Sequence, residues 1–171
     1  MVSRQTGLLL AVLVALSGVS VVGGGAVDAT PTLTVENGDD TSYRVTAYTA
    51  DDVDDALLTN FRVTTPTGDE QLVTFSQLRW PQGYRNVTTT DSIPTQRVTV
   101  GPNETLVTNV RPWEPGDVTM YLIEDVGDNE THVWSDLKTC TERQQEHTIR
   151  LRDGYEGGSS VCASGLDWLL A

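Results

Sequence analysis

Alternation with a period of two constrains this chain more than any other feature. Between residues 32 and 152 it recurs in short windows dense in Val and Thr, and no stretch carries a helical stripe. In Ser42 to Thr49, Tyr43, Val45 and Ala47 alternate with Arg44, Thr46 and Tyr48. Successive side chains of a strand point to opposite faces, so this pattern fits a pleated sheet and not a helix. Thr32 to Glu36 comes before it, and Asn37-Gly38-Asp39-Asp40 between the two runs predicts a hairpin. Further strands are expected over Phe61 to Thr65, Gln71 to Ser76, Arg97 to Val100, Thr105 to Val110, Asp117 to Ile123, His132 to Leu137 and His147 to Arg152. Loops such as Thr67-Gly68-Asp69, Gly101-Pro102-Asn103 and Glu114-Pro115-Gly116 separate them. One helical turn fits within Ala50 to Leu58, where Asp51-Asp52-Val53-Asp54-Asp55-Ala56 could open it.

Eight or nine short strands divided by such turns describe an all-β fold, an antiparallel sandwich of two sheets. A chain of this size buries roughly two thirds of its unfolded surface. The expected core is Val35, Val45, Val63, Val98, Val110, Met120, Leu122, Val133, Ile149 and Leu151. The stretch from Asp153 to Ser160, with Gly157-Gly158-Ser159-Ser160, reads as a flexible loop.

Charge narrows the partners. The 171 residues carry 24 Asp and Glu against 11 Lys and Arg, a formal charge of −13, and every carboxylate lies at or after Asp28. With no basic cluster to neutralise phosphates, nucleic acid is excluded as an expected partner. Lys138 is the sole lysine, and the acidity is dispersed over an otherwise foldable chain. That pattern resembles proteins of extremely halophilic archaea, in which concentrated salt screens self-repulsion.

The first thirty residues have their own logic. Arg4 precedes an uncharged stretch from Gly7 to Val27 whose core runs Leu8 to Leu16, then relaxes into Gly23-Gly24-Gly25. This is the layout of a secretory signal, with small residues at Gly24 and Ala26, or at Val27 and Ala29, marking cleavage points. An uncleaved anchor is the competing reading, because about 21 helical residues just cross a hydrocarbon core of about 30 Å. The glycine triplet weakens such a helix. The expected division is a signal or anchor helix over 1–29, a sandwich over 30–152, and a loop and tail over 153–171. Either way the body faces outward, at the cell surface or outside the cell.

The run Leu33-Thr34-Val35-Glu36-Asn37-Gly38 leading into Tyr43-Arg44-Val45-Thr46-Ala47, then Glu114-Pro115-Gly116-Asp117 before a strong strand, and a late Cys140 between strands, resembles the small secreted Ig-like proteins of haloarchaea. The resemblance spans approximately residues 30 to 152. It implies an Ig-like sandwich and an exported compartment, and it carries over no catalytic residues.

Reactive side chains are few. Cys140 and Cys162 are the only cysteines, and in an exported chain they are expected to pair. The bridge would contribute on the order of 3 kcal/mol in the chain-entropy model and tie the tail back to the sandwich. A copper site built from Cys140, His147 and His132 is the competing use, but Met120 does not follow the second histidine as a weak axial ligand should. His147 shares strand parity with Ile149 and Leu151 and reads as a partly buried residue at a strand start. A serine hydrolase is poorly supported, because no Gly-x-Ser-x-Gly stretch occurs. The clusters Asp51 to Asp55 and Glu124 to Glu130 offer hard oxygen ligands suited to calcium without EF-hand spacing, and read as solvated surface.

Asn86, Asn103 and Asn129 open three glycosylation sequons in expected loops or strand edges. Trp80, Trp113, Trp134 and Trp168 suit rim packing better than a sugar-stacking platform. The apolar ending Gly165 to Ala171 is too short to span a bilayer. The expected function is a non-catalytic exported module of the cell envelope that binds a protein or glycan or serves structurally, with no cofactor. The second expectation is a small carrier of a ligand or of copper or calcium ions.

Overall fold

The computed structural model of the protein describes residues 30–127, 130–142, 144–152 and 155–163. The expected signal or anchor helix, and the tail from residue 164, lie outside the described residues.

Eleven strands are described: β1 (Thr32–Asn37), β2 (Tyr43–Ala50), β3 (Asn60–Thr64), β4 (Glu70–Thr74), β5 (Arg85–Thr89), β6 (Thr95–Val100), β7 (Thr105–Asn109), β8 (Val118–Asp125), β9 (Thr131–Lys138), β10 (Gln144–Arg152) and β11 (Tyr155–Ala163). They form a four-stranded sheet, β11-β10-β1-β7, and a seven-stranded sheet, β4-β3-β5-β9-β8-β2-β6. The protein is all-β with two sheets, consistent with an Ig-like sandwich. It is not wholly antiparallel, because β1 runs parallel to β10, Val35 opposite Ile149.

The hairpin expected at Asn37-Gly38 does not form. β1 pairs with β10 and β7, whereas β2 pairs with β6 and β8, so the segment between them crosses from one sheet to the other. The buried Asn37 side chain holds that corner. Its Nδ2 donates to the carbonyl oxygens of Thr41 (2.8 Å) and Gly101 (2.7 Å), and its Oδ1 accepts from the Asp39 N–H. The Gly38 N–H is drawn to the Leu151 carbonyl instead of turning back toward β1. An Asx turn serves a corner as readily as a hairpin, so the dipeptide alone does not choose.

Two short helices interrupt the strands. The expected turn is α1 (Val53–Leu58), capped by Asp52, whose Oδ1 accepts from the Asp55 N–H. The second, α2 (Phe75–Leu78), occupies the end of an expected strand, and Gln77 reaches back to the Thr74 N–H at 2.8 Å.

The seven-stranded sheet bends back over itself. Phe61 of β3 and Tyr48 of β2 stack edge-to-face with ring centroids 5.3 Å apart, although four strand spacings separate them in the sheet order. In a flat sheet those spacings would add to about 19 Å. The fold occurs where β5 meets β9 through the register pair Arg85 and Thr131. The β3-β4-β5 part, with α1 and α2, therefore covers the outer face of β2 and β8.

Two cores result. Tyr43, Val45 and Ala47 of β2 and Tyr121 and Ile123 of β8 pack against Leu33, Val35, Ile149 and Leu151 of the four-stranded sheet. Tyr48, Ala50, Val118, Met120 and Leu122 point the other way, onto Phe61, Val63, Val73, Phe75 and Leu78. A strand covered on both faces reads as a continuous apolar run, which is the pattern of Val118 to Ile123. Of the expected core, Val98 and Val133 are only partly buried, and the other eight are fully buried.

The stretch Asp153 to Ser160 was expected as a loop, but from Tyr155 it belongs to strand β11 along β10, with Val161 opposite Glu146. One glycine there, Gly158, serves a close approach. A Cβ on Gly158 would stand 3.2 Å from the Thr148 carbonyl oxygen and 3.2 Å from Cη2 of Trp134 on β9. The C-terminal edge of the smaller sheet thus lies tight against β9.

Candidate functional site

The two cysteines form a disulfide with Cα atoms 5.9 Å apart. Cys162 shares its face of β11 with Gly158, toward the other sheet, and Cys140 follows β9, so the bond staples the edge strand of the smaller sheet to the end of β9 in the larger one. A shallow depression of about 250 Å³ lies beside it, lined by Lys138, Ser160 and both cysteines. The disulfide removes Cys140 as a copper ligand.

The histidines stand apart. His132 lies opposite Glu124, on the face of β9 that carries Ser135 and Leu137, and its Nε2 is 2.8 Å from the Ser135 hydroxyl. His147 sits between the sheets, its ring 5.8 Å from that of Tyr121 and its Nε2 3.0 Å from Gln145 Oε1. It lies fully buried in mid-strand, not partly buried at a strand start. Burial pushes the His132 imidazole down to about 4. Burial also pushes His147 down to about 4, helped by the Lys138 charge and opposed by Asp136. Both rings are neutral at physiological pH and buried in the structure.

Several carboxylates of the two acidic clusters, expected as solvated surface, are engaged structurally. Asp52 caps α1, and Asp54 and Asp55 occupy its first turn, where carboxylates favour the helix dipole. In the second cluster, Glu130 lies 2.9 Å from the Arg44 guanidinium and Glu124 lies 3.7 Å from it. Glu124 is 3% exposed and accepts the Val87 backbone N–H. Desolvation lifts its carboxyl above the usual range, against the pull of Arg44. Asp125 accepts from the Thr41 hydroxyl at 3.0 Å and the Gly127 N–H at 2.8 Å. Among the described residues, no group of three or more His, Cys, Asp or Glu is placed to hold a metal ion.

Two larger depressions open at the surface. One of about 380 Å³ lies beside α1, lined by Asp51, Asp55, Leu58, Asp91 and Ile93. Another of about 490 Å³ is framed by Thr30, Arg111, Pro112, Trp113 and Glu114. Neither receives a histidine or cysteine. Asn86 and Asn103 are exposed, and Asn129 lies outside the described residues. Trp113 is buried, Trp134 packs on the inter-sheet core, Trp80 is 73% exposed, and Trp168 lies outside the described residues.

Sequence reasoning missed the Arg44, Glu124, Glu130 network and the ion pair of Lys138 with Asp136 at 2.6 Å. The sequence carried no signal for the network, because its members meet only through strand register and folding.

A family model described as a halobacterial Ig domain protein matches residues 1–171. The chain belongs to that family. A search among curated proteins finds no match for this halobacterial Ig domain protein. Among solved structures, the membrane-binding domain of pneumolysin aligns at TM-score 0.34 and 9% identity, over 79% of this chain and 98% of that one. The human-specific toxin intermedilysin gives 0.35 and 6%, over 78% and 23%. A structure described as a trapped toxin gives 0.33 and 7%, and this chain spans 77% of itself but only 23% of the toxin's length. TM-scores this low establish no shared fold and transfer no activity.

Proposed function

We propose that this halobacterial Ig domain protein is an exported, non-catalytic module of the cell envelope that binds a protein or a glycan or serves structurally. The disulfide between Cys140 and Cys162 carries the reading, since such bonds persist in oxidising compartments and are rare in the cytosol. Consistent with it, the side chains most suited to chemistry are engaged elsewhere: both cysteines are bonded to each other and both histidines are buried and neutral. What the described residues offer outward is sheet, loop tips and the sequon residues Asn86 and Asn103.

Cell fractionation with an antibody to the body of the protein tests the location. Intact mass of the recovered chain, before and after reduction, tests the bond and any glycan. The expected result is an envelope-associated or secreted chain with no free thiol. A cytoplasmic chain with two alkylatable thiols would overturn the reading. Stoichiometric copper or calcium in the native protein would replace it with the carrier.

A further inference from the structure

We infer that the outer face of the four-stranded sheet is the docking surface for a second copy of this chain. The inference goes beyond the envelope reading and stands whether or not the chain is exported. On that face the register sets out rows of side chains across β11, β10, β1 and β7. One row reads Ser159, Thr148, Thr34, Val107; the row on one side contains Val161 and Glu146; the row on the other contains Gly157, Arg150 and Glu36. Two of the few large apolar side chains left exposed are here, Val107 at 64% and Val161 at 58%.

Charge sets this face apart. The chain carries −13, yet among the described side chains the ionised ones pointing outward here are Glu36, Glu146, Arg150 and Arg152, which balance.

The pattern is also self-complementary. Close packing between two copies of one surface needs a two-fold axis lying in the interface. Placed along the Ser159 to Val107 row, such an axis sets Thr148 against Thr148 and Val107 against Val107. It brings Glu146 of each copy opposite Arg150 of the other. Val161, a protruding side chain, falls opposite Gly157, which has none. The Arg150 guanidinium is already oriented by Glu36, its Nε 2.8 Å from the carboxylate. Asn86 sits on the opposite, folded-over layer, so a glycan there leaves this face open.

Size sets the strength. Four strands about 4.8 Å apart, each five to nine residues long, give a footprint on the order of 400 to 600 Å² per copy. Stable interfaces use about 800 Å² per partner, so the dimer is weak and concentration-dependent. Molar salt favours it, because two strongly acidic copies repel at long range in dilute buffer and the Debye length at 1 M is only about 3 Å.

Sedimentation equilibrium of the full chain in molar KCl, from micromolar concentration to the solubility limit, tests this. The dimer fraction should rise with concentration. Glu146→Arg or Arg150→Glu alone should weaken association at least tenfold, and the two combined should restore it. Val107→Glu, on a different strand, should also weaken it, while Leu72→Glu on the opposite layer should not. Circular dichroism and a melting curve verify that each variant folds, and all these positions are exposed. A chain monomeric at every concentration overturns the inference. So does association indifferent to the swaps, which would place the contact elsewhere, or a combined swap no better than either single one.

Discussion

Lowering the pH from 7 to 5 should destabilise this protein through its two histidines. Each is about 1% exposed, and each is held near 4 against an ordinary value of 6.5. The unfolded chain takes up a proton as pH falls through 6.5, whereas the folded chain does not until near 4. Stability is therefore complete above 6.5, lost on the way down to 4, and constant in this respect below. The full shift corresponds to on the order of 3 kcal/mol per histidine, and about half of that has been lost by pH 5. The two rings lie on different faces of the seven-stranded sheet, so their contributions should add to about 3 kcal/mol at pH 5. Urea unfolding at constant molar KCl measures the loss, and His132→Gln or His147→Gln should each remove about half of the pH slope. Proton NMR gives an independent reading, because the chain has only two histidines. Both rings should stay neutral to below pH 5. A ring titrating near 6.5 in the folded protein would refute the assignment of that histidine to the core.

Three other outcomes follow from packing and charge. Arg44→Met should cost about 3 kcal/mol by stranding the buried Glu124 carboxylate, and the loss should shrink at acid pH as Glu124 protonates; Glu124→Gln should be neutral or stabilising, and urea melts of both variants decide it. Replacing Cys140 and Cys162 by Ser should cost about 3 kcal/mol, read as a lower thermal midpoint. Gly158→Val should cost about 1 to 3 kcal/mol and speed hydrogen exchange along β11, because the new side chain meets the Thr148 carbonyl and Trp134; unchanged exchange would refute the close approach.

Much of the fold was legible because alternation reports burial directly. Val35, Val45, Ile149 and Leu151 announced an inward face and occupy it. What failed was pairing. Asn37-Gly38 signals a tight turn, but whether the next strand returns beside the first or crosses to another sheet depends on distant partners, here Gly101 and Leu151. β5 went unseen because Arg85 to Thr89 contains a single buried residue, Val87. β11 was hidden by glycines, which score as loop whenever the neighbour they admit is unknown. Of the candidate sites, the disulfide followed from counting cysteines, and the burial of His147 from its parity. The Arg44 network was illegible because its members come from β2, β8 and the segment before β9, joined only by register.

The folded-over layer has a consequence for how the chain folds. β2 and β6 are antiparallel neighbours, with Tyr48 opposite Thr95. Everything between them, from Asp51 to Pro94, is an excursion of roughly 44 residues inserted where a tight turn would suffice. Relative to a four-residue turn, closing it costs about 2 kcal/mol more in chain entropy. Contacts this remote in sequence slow folding. Removing the excursion would relieve that cost but expose Tyr48, Met120 and Leu122 to water. The inserted segment is therefore a graft its host strands cannot shed: β2 and β8 serve as a common wall, and hydrogen exchange in them should report on the loss of either core.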